Sequence, residues 1–175
     1  AKSIHDKKNS ALHNILLIAP HIKIEDETEG DFQAFARDSL IVGKKVHLHY
    51  PTVLGIIATK KSPDVASLLL GEKTRVFGQL FACGIETDFR KHVLVSTAKG
   101  SLVYGDIYSS GLVDHKGMVY GTVSCTKFEL KTPSAEYENH LMNAIIDRPK
   151  RSPDYVASAL TRKPSDRKSI AQWLR

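Results

Sequence analysis

His47 and His49 are residues whose type and spacing could do chemistry. They alternate with Val46 and Leu48, so on an extended strand both imidazoles project from one face, and such a pair can begin a zinc site. No third ligand follows at a fixed spacing, and no metal is expected. Gly71-Glu72-Lys73-Thr74 echoes the end of a phosphate loop, but the upstream glycine is absent and no long helix follows, so it reads as a turn. No nucleophile-elbow pattern marks any serine. His21, His92, His115 and His140 are scattered singly, and Asp106 and Glu129 lie on or near strand-like stretches without forming a paired acid and base. Cys83 and Cys125 lack CxxC spacing; they read as small residues in or beside the core, with a single bridge or a regulatory thiol as the alternative. The expectation is no enzyme, no cofactor and no small-molecule substrate.

Composition points the same way. With 175 residues, 42% hydrophobic and 25% charged, the chain can build one substantial core with a tail. Aromatics at 7% argue mildly against a groove that stacks bases or sugars. No apolar run approaches the roughly 20 residues of a membrane span, and no signal peptide is visible. The chain opens on Ala1 without a methionine, which leaves room for a targeting or anchoring segment upstream. The formal charge is +6, and residues 148–175 hold all of it: eight basic side chains stand there against Asp154 and Asp166. A basic chain suggests nucleic acid, but here the charge belongs to a tail and the body is neutral, so no nucleic acid is expected.

The elements that must carry these residues announce themselves as a repeat. The pattern apolar, any, Gly, any, apolar recurs at Val53-Leu54-Gly55-Ile56-Ile57, Val76-Phe77-Gly78-Gln79-Leu80, Val103-Tyr104-Gly105-Asp106-Ile107 and Val119-Tyr120-Gly121-Thr122-Val123. A degenerate copy surrounds Gly30. The glycines are unevenly spaced, and the shortest step, from Gly105 to Gly121, suggests the length of one unit, with insertions in the others. Second apolar pieces lie between them: Ile15 to Ile18, Leu40 to Val42, Leu68 to Leu70, Val93 to Val95, and Leu112-Val113. Short alternating strands at regular spacing predict an all-β fold. The two outer apolar residues and the central glycine of each unit are expected on one inward face. Glycine there implies a close backbone approach, at the axis or at a corner of a narrow β-solenoid, where stacked units join their valines and leucines into one apolar column. An ordinary β-sandwich is the alternative.

The cadence Ser101-Leu102-Val103-Tyr104-Gly105-Asp106-Ile107-Tyr108-Ser109, followed by Gly117-Met118-Val119-Tyr120-Gly121-Thr122-Val123, resembles the bactofilins, polymer-forming bacterial cytoskeletal proteins. The resemblance covers residues 15–130 and is clearest from Leu68 onward. It implies a right-handed β-helix that polymerises end to end without nucleotide, scaffolds cell-wall enzymes and helps to set cell shape. It also implies a bacterial, membrane-associated or cell-envelope setting, with the chain itself as the first partner. Val53, Gly55, Val76, Gly78, Leu80, Val103, Gly105, Ile107, Val119, Gly121 and Val123 would then form the core and the assembly column. Two catalytic families of β-helices fit poorly. Hexapeptide acyltransferases need a strict six-residue apolar repeat, and β-helical polysaccharide lyases and hydrolases are much longer.

Three divisions follow: residues 1–14 as a linker, 15–131 as the β-solenoid, and 132–175 as a basic helical extension. Thr132-Pro133 reads as a helix opening, with Tyr137, Leu141, Ala144 and Ile145 on one face. Packed over the last unit, that helix would cover exposed strand edges. Ser152-Pro153 reads as a second opening, for a helix to Leu160. Ser165 would cap a third in which Ile170, Trp173 and Leu174 share a face beside Arg167 and Lys168; it reads either as a helix folded onto its own domain or as a docking element for an anionic membrane surface or an acidic envelope partner.

Overall fold

Alternation of buried and open positions is the local signature of the chain. From Gly30 to Val42 every second residue is buried, so a single strand presents one inward and one outward row. The computed structural model describes residues 3–7, 10–85, 92–132 and 134–158. Its strands are β1 (Ser3–His5), β2 (Ala11–Ile24), β3 (Glu29–Val42), β4 (His47–Ala58), β5 (Val65–Leu70), β6 (Arg75–Gly84) and β7 (His92–Thr97). They continue with β8 (Leu102–Tyr104), β9 (Ile107–His115), β10 (Met118–Val119), β11 (Val123–Lys131), β12 (Glu136–Glu138) and β13 (Ile145–Ile146). The fold is nearly all β and almost wholly parallel; the antiparallel pair is β11–β12.

Three columns of pairing run through the sheet. In the first, Ala11 faces Glu29, Glu29 faces His47, His47 faces Arg75, Arg75 faces Leu102, Leu102 faces Met118 and Met118 faces Ile145. In the second, Ala34, Leu54, Leu80, Ile107 and Val123 succeed one another. In the third, the succession is Ile22, Leu40, Leu68, Val95, Val113 and Phe128. Inward residues of all three form one apolar cluster, in which Leu48, Val76, Val103 and Val119 are fully buried neighbours. Each such aliphatic side chain stabilises the fold by about 1.5–3 kcal/mol through burial.

The repeat is longer and less even than the Gly105-to-Gly121 step suggested. Along the first column, the step from Leu102 to Met118 has that length, whereas Ala11 to Glu29 and Glu29 to His47 are slightly longer. His47 to Arg75 and Arg75 to Leu102 are longer still. The connection Thr59 to Asp64, between β4 and β5, takes up part of the longest interval. The turns keep step with the strands. Glu27, Lys45, Lys73 and Gly100 all adopt positive φ (63°, 56°, 59° and 74°) just before the first column. Gly71-Glu72-Lys73-Thr74 is one of these turns, and its backbone opens with Gly71 N donating to Val42 O.

Four expectations are corrected. The described residues from Thr132 to Ser158 contain no α-helix. Thr132 closes a hairpin turn with Ala135, its N–H and hydroxyl both donating to Ala135 O (2.9 and 2.8 Å), so the threonine organises a chain reversal and not a helix start. β12 then returns along β11, and Ile145-Ile146 extends the first column as β13. Beyond it, Arg148–Lys150 forms a single 3-10 turn, and residues 152–158 are irregular. Second, Val53 is buried as expected, but Val53, Gly55 and Ile57 stand on the side of β4 away from the main apolar cluster. Leu54, Ile56 and Ala58 join the main cluster; Leu54 pairs with Leu80, Gly55 pairs with Phe81, and the β4 residue paired with Gly78 is Thr52. Third, Ile15 to Ile18 belongs to the second column and not with Leu40 to Val42, whose counterpart is Ile22 to Ile24. Strands β1 and β2 also begin inside the segment expected as a linker. The positions Pro133 and 159–175 lie outside the described residues.

Candidate functional site

Four places in this architecture could do something, and each follows from the columns. The first is the free edge of β2. β1 pairs with β2 only at His21 to Lys23, so among the described residues Ala11 to Pro20 hydrogen-bond to β3 on one side and to no strand on the other. That stretch carries Ile15, Leu16 and Ile18, of which Leu16 and Ile18 are 58% and 65% exposed. Beside them Phe35 and Phe81 fold toward each other over Gly55, ring centres 5.8 Å apart; a Cβ on Gly55 would strike both rings. Gly55 therefore leaves room for an aromatic contact, in which Phe81 is buried, on the side of β4 away from the main cluster.

The second place is the corner between the first two columns. Gly78, Gly105 and Gly121 stack there, and each would drive a Cβ to within 1.8–1.9 Å of a carbonyl oxygen below: Thr52, Gly78 and Gly105 in turn. Only glycine permits backbones so close, and Gly78 and Gly105 also have φ of +155° and +149°. This is the close approach that the glycine pattern implied, located between the first and second columns. The C-terminal segment crosses it as a strap. Arg151 Nη1 reaches both oxygens of Asp106 (3.0 and 3.1 Å), Tyr155 Oη accepts from Asp106 N (3.3 Å), and Ser158 N donates to Gln79 Oε1 (3.0 Å). Burial pushes the Tyr155 phenol up to about 12, with the Asp106 charge adding to the effect.

Under the strap lies the third place, an aromatic run. Phe77 and Tyr104 are in register and stack at 4.4 Å with planes 8° apart, Tyr120 meets Tyr104 edge-on at 5.0 Å, and Lys150 Nζ lies 5.2 Å from the Tyr120 ring centre. Tyr50, Tyr155 and Asp154 close a cleft of about 440 Å³ over Phe77 and Tyr104.

The fourth place is the outward face of the first column near β2. His47 and His49 do share a face, as their spacing predicted, with ring centres 4.5 Å apart. Register adds Glu29 from β3, whose Oε1 is 2.8 Å from His49 Nε2. The His49 hydrogen bond lowers the Glu29 pKa, with further help from the nearby imidazoles. Burial, and then the neighbouring His49, hold the His47 pKa down. Glu29 was missed as a neighbour of the histidine pair because it lies a whole repeat before His47 in the chain; the recurring turn at Glu27 and Lys45 was the signal that could have paired them.

Of the other sequence candidates, Val76, Leu80, Val103, Ile107 and Val119 are buried core residues and Val123 is half-buried. Cys83 and Cys125 are free, half-buried, and raised in pKa by burial. His115, one of the histidines scattered singly in the sequence, is 2% exposed with Nδ1 2.6 Å from Thr97 Oγ1, and burial lowers its pKa. Arg167, Lys168, Ile170, Trp173 and Leu174 lie outside the described residues. Comparison with known proteins finds no matching family model, no matching curated protein and no matching solved structure.

Proposed function

We propose that the chain is a non-enzymatic scaffold, a right-handed β-solenoid of the bactofilin kind that self-associates through its ends at the bacterial cell envelope. The repeated turn and the three in-step columns support the solenoid reading, since they are what one chain winding on itself would produce. The observation that carries the assembly reading is the β2 edge. Among the described residues, backbone donors and acceptors from Ala11 to Pro20 have no strand on their outer side, and they sit beside exposed Ile15, Leu16 and Ile18. Such an edge is a template for another strand, and proteins that stay apart cover or charge it. Here it is apolar, and a second copy of the chain would supply both the strand and the matching apolar row. Repeating a head-to-tail contact yields a filament, while a self-complementary one yields a dimer.

The test is light scattering and negative-stain microscopy of the purified chain and of the double variant Leu16→Lys/Ile18→Lys, across a salt series. Assemblies in the parent that fall to single chains in the variant are the expected result. A parent that is monomeric throughout, or assemblies indifferent to the two lysines, would remove the reading.

A second reading has its own observation. β12 pairs with Glu129 to Lys131 of β11 and β13 with β10, so the opposite end is partly covered. That favours a capped module that binds an envelope partner or an anionic membrane through its basic tail. Deleting residues 164–175 distinguishes the two: loss of vesicle binding with unchanged self-association is the mark of a docking tail.

A further inference from the structure

We propose that Glu29, His47 and His49 form a binding site for a divalent transition metal of the Zn²⁺ class. The argument begins with the ladder. β3 and β4 are held in parallel register by the pairs Glu29–His47 and Gly30–Leu48, and the alternation of β4 sends both imidazoles outward on the side where Glu29 stands. One ligand atom from each of the three residues lies within 4.8 Å of the other two. Zinc bonds of 2.0–2.2 Å in tetrahedral geometry place ligand atoms about 3.4 Å apart. Side-chain rotation has that difference to close; Glu29 and His47 stand on the paired ladder, and His49 is the first residue of the register shift that follows Leu48.

Charge and donor chemistry select the ion. Glu29 Oε1 and His49 Nε2 are 2.8 Å apart, so a proton now occupies the line a metal would take between them. Asp31 follows Glu29 by two positions on the same strand, and its Oδ1 is 2.6 Å from His13 Nδ1, adding a second carboxylate and a third imidazole to the flank. Arg75, in register with His47 on β6, is the opposing cation. Two carboxylates against one guanidinium leave the patch attractive to a dication. Two imidazole nitrogens with one carboxylate suit zinc and its neighbours, whereas magnesium and calcium prefer all-oxygen shells. The Glu29 and His49 side chains are 63% and 44% exposed, so a fourth position faces solvent and is open to water or to a ligand from outside. Metal bound there would tie β3 to β4 close to the free edge of β2. The proposal stands apart from the scaffold reading, because it needs only one folded chain.

Isothermal titration calorimetry on the full chain, stripped with chelator and titrated with zinc chloride at neutral pH, tests it. The expected result is one saturable site per chain, no matching site for magnesium chloride, and an upward shift in melting temperature with zinc. His47→Ala, His49→Ala and Glu29→Gln should each weaken binding about tenfold or more, while His140→Ala, an exposed histidine elsewhere, should leave it unchanged. Cobalt substitution adds an optical readout of a low-coordinate site with nitrogen ligands. Absence of saturable zinc binding in the parent, or binding that survives in the double variant His47→Ala/His49→Ala, would overturn the proposal. Circular dichroism establishes that each variant folds, and His47→Gln with His49→Gln replaces the alanines if either does not.

Discussion

The two ends of the strand stack are built differently. At the β2 end, the edge from Ala11 to Pro20 carries exposed aliphatic side chains and pairs with nothing else among the described residues. At the β10–β11 end, the chain turns back on itself: β12 pairs with β11, β13 extends β10, and the strap from Arg151 to Ser158 returns across the glycine corner to Gln79. The same parallel ladder therefore ends once in an open template and once in a folded-back segment. Local composition explains the contrast. Residues 136–158 supply polar and charged partners, such as Arg151 to Asp106 and Lys127 to Glu138, whereas β2 offers isoleucine and leucine with few charges. An edge that meets water with charges is soluble by itself, and an apolar one is stabilised by covering.

Substitutions that probe the shared core should act on both ends at once and have the largest effect. Val103→Lys places a charge in the fully buried row of Leu48, Val76 and Val119, and loss of the cooperative unfolding transition is the expected outcome in circular dichroism. A folded Val103→Lys chain would contradict the inward assignment. Next in size comes the corner that only the strap end covers. Gly105→Ala would push a Cβ to 1.9 Å from Gly78 O at φ +149°, and about 2–4 kcal/mol should be lost. Gly100→Ala has a positive φ too, but its nearest neighbour is 3.6 Å away, so about 1 kcal/mol is expected. Equal midpoints for the two in urea would show that backbone strain, and not stacking, sets the need for glycine.

Acid should distinguish the ends as well. His115 is buried between Thr97 and the Ile145 carbonyl at the strap end. Burial holds its folded pKa below the ordinary 6.5, although the Ile145 carbonyl and the Asp114 charge pull the other way. The unfolded chain therefore binds the proton more readily, and stability is complete above about pH 6.5 and falls as pH drops toward the depressed folded value. Unfolding midpoints between about pH 7.5 and pH 5 should show a shallower slope in His115→Gln; an unchanged slope would remove His115 from the account. The smallest effect on stability belongs to the open end. Leu16→Lys should change the midpoint by no more than about 0.5 kcal/mol, because the side chain is 58% exposed, while altering assembly. A large loss of stability would mean that β2 is covered within the single chain.

The residues alone were enough for an all-β chain with glycines at points of close approach, because alternation and glycine placement are local consequences of strand geometry. They were also enough to put His47 and His49 on one face. Three things depended on distant partners. Gly55 copies the pattern of Gly78 and Gly105 but pairs with Phe81, whereas the residue paired with Gly78 is Thr52, and register is a property of two strands. Tyr137, Leu141, Ala144 and Ile145 have helical spacing, yet β10 and β11 offered unpaired edges that captured 136–138 and 145–146 as strands. Glu29 became a neighbour of His47 only because the intervening turn repeats and brings one unit beside the next at a single strand spacing. Periodicity within a segment is fixed by that segment's own side chains, whereas which segments meet, and so which side chains can share an ion or a partner, is decided by hydrogen-bond pairing across the whole stack.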